Sequence, residues 1–258
     1  NQTYYTNNFN PSSGNQFNGT GILSIYPDRD SDSFSISPSL SSLVIDTNLT
    51  GITLGSTTNT SDITLSDAIT VSGPVSVYGG HITINENVDT TGGSASGDIL
   101  LRGTGNITFA DGKNLTTNGG DVILWSNSDD ETSNGGYIYV QDNATIDTRT
   151  QSDRIANNGS FDDENGGTII LGGGAGTTVP TGYALNNVNN QRGGINLGTE
   201  SGGQRHDSNI TFLSGGGDIM FKGKQISTYN GDAAGINAYE GFIIDAGKTG
   251  SISLEGAV

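Results

Sequence analysis

The sequence predicts an all-β solenoid, a chain that coils on itself and stacks short parallel strands. Two observations carry this. Strand-forming triplets recur from end to end, and a glycine step opens many of them. The triplets include Ile52-Thr53-Leu54, Ile63-Thr64-Leu65, Val75-Ser76-Val77, Ile82-Thr83-Ile84 and Ile99-Leu100-Leu101. They continue through Ile107-Thr108-Phe109, Val122-Ile123-Leu124, Ile138-Tyr139-Val140, Ile169-Ile170-Leu171 and Ile219-Met220-Phe221. Each is β-branched or aromatic and bounded by Gly, Asn, Asp or Ser, as strands are. No segment places apolar residues at helical spacing over roughly ten residues.

The corners come next. Gly79-Gly80, Gly97-Asp98, Gly119-Gly120-Asp121, Gly166-Gly167 and Gly216-Gly217-Asp218 each precede a strand. Glycine supplies the positive φ that sharp turns use, so one corner type repeated before short strands describes a coil. From Ile82 to Ile99, Val122 and Ile138 the step is roughly twenty residues, a solenoid length. Beyond Ile138 the steps lengthen, which requires inserted loops in the C-terminal half. The whole chain, 1–258, reads as one repeat domain and a fragment of something longer, with 1–45 as an irregular N-terminal coil or junction.

Composition agrees with a narrow core. Hydrophobic residues make up 31% of the chain and glycine occurs 41 times. A stacked coil buries a thin continuous column, so it manages with few apolar side chains. Low hydrophobicity with a net charge of −17 also marks disorder, but disordered chains lack spaced β-branched clusters. There is no Cys, so backbone ladders must replace disulfides. With 27 Asp+Glu against 10 Lys+Arg, the chain lacks the basic face that nucleic acid requires. No apolar run is long enough to insert in a bilayer.

The stretch from Gly103-Thr-Gly-Asn-Ile-Thr-Phe to Gly119-Gly-Asp-Val-Ile-Leu-Trp125 resembles the repeats of filamentous-haemagglutinin-type bacterial surface adhesins. So do Gly136-Tyr-Ile-Tyr-Val140, Gly167-Thr-Ile-Ile-Leu-Gly-Gly-Gly174 and Gly215-Gly-Gly-Asp-Ile-Met-Phe-Lys-Gly223. The resemblance covers roughly 50–258 and is one of repeat style. It implies a right-handed parallel β-helix, exported by a bacterium and displayed at the cell surface as part of an adhesin. The partners it implies are host, cell-surface or extracellular-matrix glycan ligands and neighbouring domains of the same chain. The family's secretion domain, with its Asn-Pro-Asn-Leu motif, is not visible, so the piece is expected to come from the shaft or a distal segment.

Chemistry is sparse. β-Helical polysaccharide-cleaving enzymes need acidic clusters on adjacent coils. Asp129-Asp130 and Asp162-Asp163 fall in Ser/Asn/Gly-rich loops, and His81 and His206 are far apart. A non-enzyme is therefore expected, with a carbohydrate-active β-helix as the alternative. Asp28, Asp30 and Asp32 alternate as calcium ligands do, but lack the following Gly and distal Glu. A solvated acidic turn is the competing reading, and no other cofactor is expected.

The most informative feature is an outward column. With flanking residues such as Val122 and Leu124 inward, strand alternation turns Leu100, Ile123, Tyr139, Ile170, Met220 and Ile243 outward, after the polar Thr83. An apolar outward stripe is expected to be covered. Connections at about 141–166, 172–193 and 198–209 would cover it, or else a second domain, chain or ligand.

Overall fold

The computed structural model describes residues 1–6, 8–9, 15–28, 35–36, 43–45, 48–93, 97–133, 135–156, 163–187, 193–201, 204–205, 208–226, 234–239 and 241–258. The chain is a parallel β-helix with three faces. Strands Ile22–Tyr26, Gly51–Leu54, Val75–Gly79, Ile99–Gly103, Val122–Ser126, Ile169–Gly173 and Ile219–Gln225 stack in that order on the first face. Strands Ile63–Leu65, Ile82–Ile84, Ile107–Phe109, Ile138–Val140, Gly193–Leu197 and Ala234–Ala238 form the second. The third runs from Ile69–Thr70 through Val88–Asp89, Asn114–Thr116, Thr145–Asp147 and Ile210–Leu213 to Phe242–Asp245.

Each coil thus contributes one strand to each face, and a strand pairs with its counterpart one coil away. Ile52, Val75, Ile99 and Val122 share one column, so an undecorated coil takes about 23 residues, a solenoid length. The sequence reading mixed two faces in its step: Ile82 and Ile138 belong to the second face, Ile99 and Val122 to the first. Across the insertions, Val122 to Ile169 and Ile169 to Ile219 take roughly twice as many residues, yet the columns stay in register. At about 4.8 Å per coil the rod is on the order of 40 Å long.

Within 1–45, Gln2–Tyr5 and Ile22–Tyr26 join the first face, paired in parallel. Part of it lies outside the described residues.

The core is the triangle between the faces. The inward pairs Ile99/Leu101, Val122/Leu124 and Ile169/Leu171 have no solvent exposure, nor do Ile107/Phe109 and Ile138/Val140. Burying each such side chain is worth about 1.5–3 kcal/mol. Phe212 of the third face meets Phe221 of the first edge-on, ring centroids 4.9 Å apart.

Two features make the corner leading into the first face. Gly97, Gly120, Gly167, Gly217 and Gly250 stack there, and a Cβ on any of them would lie 2.1–2.6 Å from the backbone of the glycine below. None of the five has a positive φ. Close approach between coils, not left-handed backbone, demands glycine here, which corrects the sequence reading; Gly119 and Gly216, one residue earlier, do carry positive φ. Beside them, the buried hydroxyls of Thr90, Thr117 and Thr148 each donate to the carbonyl of Gly97, Gly120 and Gly167 at 2.6 Å, and Ser214 does the same to Gly217.

A single short helix, Gln151–Ala156, interrupts the β structure among the described residues. Thr150 caps it, accepting from the Asp153 amide at 3.2 Å and donating to the Asp153 carboxylate at 2.6 Å. One turn and a half is too short for a periodic signal.

Candidate binding surface

The predicted outward stripe divides over three faces. Ser24, Thr53, Ser76, Leu100, Ile123, Ile170, Met220 and Ser253 form one column on the first face. Tyr139 belongs to the second, between Thr108 and Asn196, above Thr64 and Thr83. Ile243 stands on the third, next to Thr211, and is 58% exposed. The reason is geometric: all three faces obey the same alternation, so a sequence column cannot tell which face a triplet occupies.

On the first face the strands are longer, and a second outward column appears two residues on. It runs Tyr78, Arg102, Trp125, Gly172, with Tyr26 two coils before Tyr78. This column was missed. The five-residue spacing of Val75–Gly79, Ile99–Gly103 and Val122–Ser126 contained the signal, because the residue after each inward pair must point out again.

The two columns meet a flap. Residues 174–183 fold back over the first face, closed by paired bonds between Gly173 and Gly182 at 2.8 and 3.2 Å. Trp125 Nε1–H donates to the Gly174 carbonyl at 2.7 Å, and Gly176 sits so close that a Cβ would lie 2.9 Å from the indole. Trp125 is fully buried; Ile123 and Ile170, each 8% exposed, pack with it, Leu100 and Met220. Arg102 closes the cluster with its guanidinium 4.2 Å from the Trp125 ring centroid, a cation–π contact. A slot of about 270 Å³ remains between flap and rod, lined by Ile170, Val179, Pro180, Met220 and Lys222. Lys222 pairs with Glu255 at 3.8 Å, and the Tyr183 hydroxyl donates to the same carboxylate.

The other connections act elsewhere. The loop around Arg149 is tied to the third face by ion pairs. Arg149 donates from Nε and a terminal nitrogen to Asp147 at 3.0 and 2.8 Å, and this hydrogen bonding raises its pKa. Asp163 is buried 3.9 Å from Arg149 without a hydrogen bond to Oδ2. Burial and the nearby Asp153 push its carboxyl up despite the cation. Thr199, at the start of the next connection, is held by Asp142.

Polar corner residues form ladders of their own. The Asp62 carboxylate accepts the His81 amide at 2.8 Å, His81 Nδ1 accepts the Asn106 amide at 2.9 Å, and Asn106 Oδ1 accepts the Tyr137 amide at 3.1 Å. Asp98, Asp121 and Asp218 likewise accept the amides of Asp121, Thr168 and Ser251. His81 is therefore engaged in capping the next coil. It also lines an open groove of about 450 Å³ with Thr60, Asp62, Asn106 and Asp129. Burial, with Asp142, Tyr239 and Tyr137 nearby, lifts the Tyr139 hydroxyl to about 12, so it stays a neutral donor.

Of the alternating acids, Asp28 is exposed at a bend, while Asp30 and Asp32 lie outside the described residues, as do Asp162 and His206. Among the described residues no group of three or more His, Asp or Glu is arranged to hold a metal ion, and no helix is long and apolar enough to cross a membrane.

No family model, no curated protein and no solved structure matches the chain.

Proposed function

We propose that the chain is a structural and adhesive segment of a large bacterial cell-surface adhesin, a rod-like spacer that displays loops for attachment. One observation carries the reading: the core columns pass without a break in register beneath every insertion. Such a rod tolerates large excursions at its corners, and loops held on a rigid scaffold are where binding residues concentrate. The repeat style shared with filamentous-haemagglutinin-type adhesins supports the same assignment. The test is display of the chain on a non-adherent bacterium, with attachment to host cells and matrix counted. Intact chain should promote attachment, and replacing 175–181 and 200–206 by short Gly-Ser links should reduce it. Equal attachment with and without the displayed chain would end the proposal.

A carbohydrate-active β-helix is the second reading, favoured by the polar corner groove of Asp62, His81 and Asp129. Release of reducing ends from a polysaccharide panel, abolished in Asp129→Asn, would support cleavage over attachment.

A further inference from the structure

We propose that the half of the first face outside the flap, from Tyr5 to Arg102, is a platform for a neutral polysaccharide chain. This names a ligand class for the adhesive rod and rests on that reading for its setting.

Charge selects the ligand first. The chain carries 27 Asp+Glu, yet the first-face strands from Gln2–Tyr5 to Ile219–Gln225 contain no acidic residue and hold Arg102, Lys222 and Lys224. Carboxylates are concentrated at corners and in loops. An anionic polymer approaching the face meets the field of a molecule with net charge −17; an uncharged one does not.

Shape and chemistry select it further. Tyr5 is 65% exposed, its ring 5.8 Å from that of Tyr26, and Tyr26 and Tyr78 are partly exposed. Running beside this aromatic row are the half-buried hydroxyls of Thr53 and Ser76, in register with each other and with the buried Ser24. Rows of rings and hydroxyls on a flat sheet match a pyranose, which offers a C–H face for stacking and equatorial hydroxyls at its edge. Tyrosine suits this, with an apolar body and a polar tip.

Periodicity adds a third argument. Tyr26 and Tyr78 are two coils, about 10 Å, apart, close to the length of two linked hexose rings. The strand between them ends at Leu54, and the next residue, Gly55, at positive φ, packs against the Tyr78 carbonyl, so no third side chain stands between the two rings. Beyond Arg102 the flap closes over Trp125. The open platform therefore spans about 19 Å.

Titration calorimetry of the whole chain tests this, using cellohexaose, mannohexaose, xylohexaose and laminarihexaose as neutral probes and oligogalacturonate and a heparin hexasaccharide as anionic ones. At least one neutral probe should bind, and the anionic ones should bind more weakly. Tyr26→Ala with Tyr78→Ala should weaken binding about tenfold or more, since both stacking contacts are lost. Tyr26→Phe with Tyr78→Phe should stay within about threefold of the parent, because the stacking area is kept. Circular-dichroism melting confirms that both variants fold. Absence of binding to all four neutral probes, or unchanged affinity in the folded alanine pair, overturns the platform. The display assay is separate: attachment that survives in the alanine pair would refute the platform's role and leave the adhesive rod standing.

Discussion

The coils from Gly51 to Ser126 and those from Asn127 onward share one core and differ in almost everything outside it. In the first set each turn is short, the corners are tight, and the first-face outward column reads Thr53, Ser76 before changing at Leu100. In the second set the turns are long, and the same column reads Ile170, Met220 beneath or beside a flap that also covers Ile123, the last outward residue of the first set. The inward residues do not register the change: Ile99/Leu101 and Ile169/Leu171 are equally buried. Core and decoration are thus separable in a coil. From Thr53 to Met220 on the first face, the outward position turns apolar where the flap and its neighbours pack on it.

The largest effects should test whether the cores really are equivalent. Leu101→Ala in the plain coils and Phe221→Ala in the elaborated ones should each cost about 3–5 kcal/mol in urea unfolding. A much smaller loss at Phe221 would mean that the insertions carry stability and would break the comparison. Gly97→Ala and Gly167→Ala come next, at about 2–3 kcal/mol each, because a Cβ at either site runs into backbone of the coil below. If both proteins melt as the parent does, the stacked corner is not sterically closed.

Smaller changes separate the two surfaces. Trp125→Phe should cost about 1–3 kcal/mol by leaving the Gly174 carbonyl unpaired, and limited proteolysis within 175–181 should accelerate. Tyr78→Phe, in the same column of the plain half, should lie within about 0.5 kcal/mol of the parent. Equal protease resistance in Trp125→Phe would show that the flap is not latched there.

The smallest effect concerns Asp218, whose carboxylate accepts both the amide and the hydroxyl of Ser251. Those bonds hold its pKa below the usual carboxylate value. Its contribution is present above the ordinary carboxylate range and disappears as pH falls through the depressed folded value. Asp218→Ala should therefore cost less than about 1 kcal/mol at neutral pH, solvent screening being strong at an exposed site. The gap to the parent should close in acid; a gap that persists at pH 2 would assign the loss to something other than the charge.

The fold was legible because coil structure imposes a local rule, inward–outward–inward bounded by a corner, that each triplet satisfies by itself. Face membership was not, since Ile82-Thr83-Ile84 and Ile99-Leu100-Leu101 obey that rule equally while lying on different faces. Leu100, Ile123, Ile170 and Met220 were found together because each follows the same glycine corner; Tyr139 and Ile243 joined them only through their triplets. The flap was expected as a covering connection at 172–193, but its latch was not, because Trp125 meets Gly174 through folding that no spacing announces. The buried corner hydroxyls were not read either, although Val88-Asp89-Thr90 and Ile146-Asp147-Thr148 recur where Thr90 and Thr148 bond glycine carbonyls.

Amide-to-side-chain ladders at the corners bind each coil to the one directly beneath it and to nothing farther away. Tension applied along the axis is then borne by one coil interface in series with the next, and each gives way separately. A rod built so would lengthen by increments under load, each released plain coil letting out some two dozen residues of slack, so that tension is shed in steps and never all at once.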